Sequence, residues 1–335
     1  AVRVRAEARG APPARDTSPV ARAVPATAEA YVVDGSQNLG DMLASFVLYA
    51  EDRLAMQALK EEIKDNPWDQ PTAVNLETAY YAHFGAFRRA LFTDFPEAFR
   101  GAAATVLTRG KLERLAVTKG RGKPVVKRGG ALPELALLGV APDGEAAVGA
   151  FGAVWSALGD GFAAAVGRPG AAKDPPLVPT DLGLGTKTWL VNGAWVAKML
   201  ASGERHIEIE GDFRPHVFTE GELFCISTST RLSMTVLAAH RGEAPRMAAP
   251  GAGEGRLVSY GLVRGATIAA LMEQALDVLV LMMRAERGPV PVAADEVDTL
   301  KAAVAGLLEI LDRAEWTVTD QRDLRITDFA AHFAK

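Results

Sequence analysis

The first residues with a pattern suited to chemistry sit in Arg205–Glu210, where His206, Glu208 and Glu210 alternate with Ile207 and Ile209. On an extended strand, residues two apart share a face. One imidazole and two carboxylates would then line up as a donor set for a divalent metal. The solvated face of a half-buried antiparallel strand has the same alternation and needs no metal. His216 does not extend the set. A chain reversal at Asp212-Phe213 would put it opposite Ile209, on the wrong face.

A second grouping is electrostatic. Arg109, Lys111, Arg114, Lys119, Arg121, Lys123, Lys127 and Arg128 are opposed within their own stretch by Glu113 alone. Such a run could grip the phosphates of RNA or anionic lipid headgroups. It lacks the interleaved aromatics on which bases stack, and a solvated loop or a contact with an acidic protein explains it equally well.

Other candidates reduce to ordinary structure. Cys225 has histidines at 206, 216 and 240 and an aspartate at 212 nearby in sequence. A thiol nucleophile needs such a base in contact, yet Phe224 and Ile226 flank it as in a buried, inert strand. Ser227–Thr230 carries no nucleophile-elbow pattern. In Leu182–Thr188 the order Gly-Thr-Lys-Thr breaks the spacing of a phosphate loop, so this is a plain loop. There is no dinucleotide fingerprint, no His-Glu-x-x-His helix and no calcium loop. Trp155, Trp189, Trp195, Met282 and Met283 could line a pigment or lipid pocket, but read first as core. No cofactor is called for.

The elements that would position these groups centre on Thr267–Arg284, a helix apolar round most of its circumference, with Glu273, Gln274, Asp277 and Arg284 as a narrow polar strip. Such a helix is buried on several sides. Upstream, Asn38 and Asp41 could cap a helix carrying Leu39, Met42, Leu43, Phe46, Val47, Ala50 and Leu54. Pro71 and Pro96 would start two more, the last carrying Phe99, Ala103, Val106 and Leu107. A fourth spans about 145–166, and Gly167–Asp181 reads as a linker. Beyond it, 205–210, 223–226, 231–237 and 256–260 read as strands. A helix from about Asp295 carries Val297, Leu300, Val304, Leu307, Leu308 and Leu311, and a short element at 324–333 closes the chain.

This predicts an α+β protein, mainly α. Residues 1–35 are disordered or draped, 36–166 form a helical domain and 167–185 a linker. Residues 186–335 form a small antiparallel sheet with a C-terminal helical hairpin. With 335 residues and 49% hydrophobic content the chain can bury a sizeable core. A net charge of −4 argues against a general nucleic-acid coat, and one cysteine excludes an intramolecular disulfide. Acidic groups in the middle of the best apolar helix argue against a transmembrane span. The Arg-rich, acid-poor first thirty residues are typical of organelle targeting segments, chloroplast favoured over mitochondrion. A high-GC genome gives the same composition.

The leading functional expectation is a non-enzymatic accessory subunit or assembly factor of an organellar complex, binding other protein subunits. The alternatives are an enzyme or small-molecule binder using the face around His206, Glu208 and Glu210, and an RNA-binding factor using 109–128.

Overall fold

The computed structural model describes residues 2–9, 14–49, 83–119, 123–165, 175–192, 205–250, 256–287, 299, 302, 306, 310–321 and 324–333. Their organising feature is an antiparallel sheet. Thirteen strands contribute, in chain order β1 (Val2–Arg9), β2 (Ala30–Asp34), β3 (Arg100–Lys119), β4 (Val125–Arg128), β5 (Ala131–Val140), β6 (Leu177–Pro179), β7 (Lys187–Val191), β8 (Arg205–Gly211), β9 (Phe213–Glu220), β10 (Leu223–Ser229), β11 (Arg256–Arg264), β12 (Leu311–Gln321) and β13 (Leu324–Phe333). Eleven run in the order β1-β13-β12-β11-β2-β3-β5-β10-β9-β7-β6. The outer half of β3 carries β4 and β8 as a small three-stranded extension. The principal described helices are α1 (Gly144–Ala165), α2 (Thr230–Arg241) and α3 (Gly265–Arg287).

The expectation of a mainly α fold is therefore overturned, and β3 shows why. Its start was read as a helix from Phe99, Ala103, Val106 and Leu107 at helical spacing. It alternates instead: Ala102, Ala104 and Val106 join one core and Ala103 the other. A strand buried on both faces presents a near-continuous apolar run, and its alanines disguise the period of two. In the stretch read as draped, Val2–Arg9 and Ala30–Asp34 are strands and Val20, Ala23 and Val24 are buried.

The reading failed in the other direction at Arg231–Leu237, expected as strand and found in α2. Ser229 Oγ accepts from the Leu232 N–H at 3.3 Å, an N-cap. Gly242 closes the helix at a φ of 77°, where other residues are strained. Other local signals hold. The backbone N–H of Asp41 donates to Asn38 Oδ1 at 2.8 Å and that of Asn38 to Asp41 Oδ2 at 3.3 Å, a reciprocal cap on the helix over 39–49. The expected helix at 145–166 is α1. The core helix is α3, although Thr267 and Gln274 on it are buried while Met272 is exposed. The helix expected from Pro71 lies largely outside the described residues, as does the one from Asp295, where 299, 302 and 306 are helical.

Each face of the sheet has its own core. On one, Val20, Val24 and Leu237 cover Val33, Ala104, Leu138, Phe218 and Tyr260. On the other, Leu39, Phe87, Phe95 and Phe151 cover Ala103, Val217 and Phe224. Leu112, Leu115, Val117 and Leu132 form a third cluster beneath the extension.

His216 on β9 is fully buried. Nδ1 meets the Arg214 carbonyl at 2.6 Å and Nε2 meets Ser233 Oγ at 2.8 Å. With Nδ1–H donating to the carbonyl, Nε2 accepts the serine proton and the ring is neutral. Burial holds its pKa below the ordinary 6.5, outweighing the Arg214 carbonyl, which favours the charged form. The unfolded chain therefore takes up the proton first as pH falls. The contribution is complete above 6.5 and is lost as pH drops from there to the lower folded value. The urea midpoint should fall between about pH 7.5 and about pH 5, and His216→Gln should flatten that dependence.

Candidate functional site

The strand carrying His206, Glu208 and Glu210 forms as expected, but its neighbour was not foreseen. β8 pairs with β3, with Glu210 opposite Arg114 and His206 opposite Thr118. The Arg114 guanidinium bridges both carboxylates, at 3.2 Å from Glu208 and in closer contact with Glu210. The hydrogen bond to Glu210 is the main reason Arg114 holds its proton more tightly than a free arginine. Here an arginine takes the place a metal would need between the two acids. The side chain of His206 lies outside the described residues. The expected reversal at Asp212-Phe213 does not form a hairpin. β9 turns away to pair with β10 and β7, so His216 lies opposite Ser227 and Leu190.

The basic stretch loses much of its apparent excess. Arg109 pairs with Glu29 at 2.6 Å, Lys111 with Glu113 at 3.6 Å, and Lys127 with Asp277 and, at 3.3 Å, Gln274. Glu29, Glu208, Glu210 and Asp277 are remote in sequence, so counting charges along the chain could not find them. Lys123 and Arg128 are exposed. The side chain of Lys119 and all of Arg121 lie outside the described residues.

Cys225 faces the first core, fully buried, and burial pushes its thiol well above the usual range. Among the described residues no group of three His, Cys, Asp or Glu side chains could hold a metal. In the Leu182–Thr188 loop, Lys187 pairs with Glu145 in the first turn of α1, and Thr186 Oγ1 donates to the Thr219 carbonyl at 2.5 Å. The adjoining cavity of about 520 Å³ is lined by Asp143, Glu145, Lys187 and Glu220, and its one cation is already paired with Glu145. Trp155 and Trp189 pack in the second core. Trp195 and the side chains of Met282 and Met283 are outside the described residues.

Sequence reasoning missed two features. One is Glu134, 1% exposed in the middle of β5. It accepts from Thr108 Oγ1 at 3.0 Å, Ser229 Oγ at 2.9 Å and Arg231 Nε at 3.2 Å. A lone acid in the apolar run ALPELALLGV was the available signal. Gly110 makes room for it: a Cβ there would lie 2.5 Å from Glu134 Oε1.

The other is the β1 end of the sheet. Val4 on β1 is directly opposite Phe329 on β13, with Val2 and Phe333 further along the same face. All four are exposed, Val4 by 56% and Phe329 by 38%. Among the described strands β1 has no partner on its outer side. The result is an apolar patch beside an edge at which alternate residues of β1 point unpaired backbone groups outward. Arg3, Arg5 and Glu7 charge this strand, but on the face opposite Val2 and Val4.

No family model, no curated protein and no solved structure matches this chain. Its function therefore has to be argued from its own surface. Among the described residues no helix is long and apolar enough to cross a membrane.

Proposed function

We propose that the protein is a non-enzymatic subunit or assembly factor that docks another protein chain along β1. The observation that carries this reading is the exposed Val2, Val4, Phe329 and Phe333 face beside the open edge. A partner strand would satisfy the edge hydrogen bonds and cover the apolar face in one step. Placement in an organelle, a chloroplast before a mitochondrion, is part of the proposal and rests on the composition of the first thirty residues. RNA binding is less favoured, since four of the basic side chains already face carboxylates.

Native mass in a gentle extract of the source tests this. The wild-type chain should migrate in a nuclease-resistant particle well above its own 35.5 kDa. Val4→Glu with Phe329→Glu should release it as a folded monomer with unchanged circular dichroism. A bare wild-type monomer, or a particle that survives the double substitution, overturns the proposal. A particle that nuclease dissolves would point to the basic stretch instead.

A further inference from the structure

The opposite face of the same strands is polar and concave. Two rows of side chains share it. In sheet order the first is Arg3, Ala330, Glu315, Leu262, Tyr31 and the second Arg5, Asp328, Thr317, Tyr260, Val33. All of them but Val33 line a cavity of about 740 Å³, together with Met247, Ala248 and Pro250. Five strands at ordinary spacing make this trough about 19 Å across. That volume is within the usual range of small-molecule sites.

Its inner end is built around two phenols. Tyr260 is 2% exposed and Tyr31 7%, with their rings edge to face at 6.1 Å. Neither hydroxyl has a hydrogen-bond partner among the described residues, and neither is among the buried polar atoms left unsatisfied. Both residues line the cavity. Burial pushes Tyr260 up to about 12, with Tyr31 adding to the shift, and burial also raises Tyr31, with Glu315 adding to it. Both remain neutral, each able to donate and accept.

The remaining polar groups separate by sign. In the first row Glu315 is separated from Tyr31 by Leu262, with Asp328 one row away, while Arg3 and Arg5 stand at the open edge. Glu315 accepts from His332 Nε2 at 2.8 Å, with Arg313 at 3.7 Å. Arg5 leans toward Glu7 at 3.7 Å. Arg3 and Asp328 have no ion-pair partner among the described residues. Between Glu315 and Arg3 the row holds only Ala330, leaving a gap of two strand spacings, about 10 Å.

We propose that this trough binds a zwitterionic organic molecule. Its ammonium group lies inward against Glu315, Asp328 and the two phenol oxygens, and its carboxylate outward on Arg3 and Arg5. A cation alone would leave Arg3 uncompensated, and an anion alone would leave Asp328 so. A dipolar ligand satisfies both ends, and charge-assisted hydrogen bonds at each end fix its direction.

Titration calorimetry on the full chain tests this with ε-aminohexanoate, which spans the gap, and with β-alanine, hexanoate and hexylamine, each lacking the length or one charge. The zwitterion of matching length should bind at least about tenfold more tightly than the other three. Tyr260→Phe removes one oxygen and keeps the ring, and should weaken binding several-fold. Glu315→Gln and Arg3→Gln should erase the preference over hexylamine and hexanoate. Absence of binding by ε-aminohexanoate, equal binding of the three controls, or full binding by Arg3→Gln and Glu315→Gln overturns the assignment. These titrations use the isolated chain, so failure of the docking reading leaves their outcome unaffected.

Discussion

Arg231→Ala should lower the unfolding free energy by about 3 kcal/mol, the low end of the range for breaking a buried ion pair. Glu134 cannot follow its partner into water. It is 1% exposed in β5, and the groups converging on it come from β3, β10 and α2. Without the guanidinium its charge retains two hydroxyl donors, Thr108 and Ser229, which solvate a carboxylate poorly. Arg231 is itself half exposed, so water entering its place relieves part of the cost. Its Nη2 also donates to the Arg109 carbonyl at 2.8 Å, joining α2 to β3. Adding Glu134→Gln in the Arg231→Ala background should recover part of the loss, because a neutral amide is cheaper to bury than an unpaired carboxylate. Urea unfolding of the single and double variants measures both effects. A loss under about 1 kcal/mol for Arg231→Ala would make the pair an ordinary surface bridge.

What could be read from the sequence follows the range of the interaction involved. Caps were legible because they are made within a few residues, as with Asn38 and Asp41. Helices with one apolar stripe, such as α1, were legible for the same reason. The sheet was not, because β3 and β5 are buried on both sides and lose the alternation that marks a half-exposed strand. β1 and β12 do alternate, yet Arg-rich composition masked the first and a neighbouring helical pattern absorbed the start of the second. The candidate sites divide in the same way. Glu208 and Glu210 were correctly placed on one strand face, but their partner Arg114 is about a hundred residues away in sequence. Tyr31 and Tyr260 come together because β2 pairs with β11 across most of the chain. No local spacing carries that information.

Phe224→Ala should cost about 3–5 kcal/mol, as large-to-small changes at fully buried aromatics do. The ring is the point where the sheet meets its helical layer. It lies 5.1 Å from Phe99 and 6.3 Å from Phe151, which in turn contacts Phe95 and Trp155 at 5.8 and 6.0 Å. Removing it leaves a cavity walled by the strand backbone and by other rings, neither of which collapses readily. Phe224→Leu keeps most of the volume and should cost less than about 1.5 kcal/mol. Cys225, one residue on, supplies the control. It points into the other core, among Leu138 and Phe218, and Cys225→Ala removes a single heavy atom that behaves as a small hydrophobe. A large loss at 224 with a small one at 225, both from urea unfolding, would establish that strand faces alternate here and that the aromatic layer is a stability centre. Equal, small losses at both positions would mean that the helices over Phe224 contribute little to folding. The sheet with its other core would then be the stable unit, and the helical layer an accessory to it.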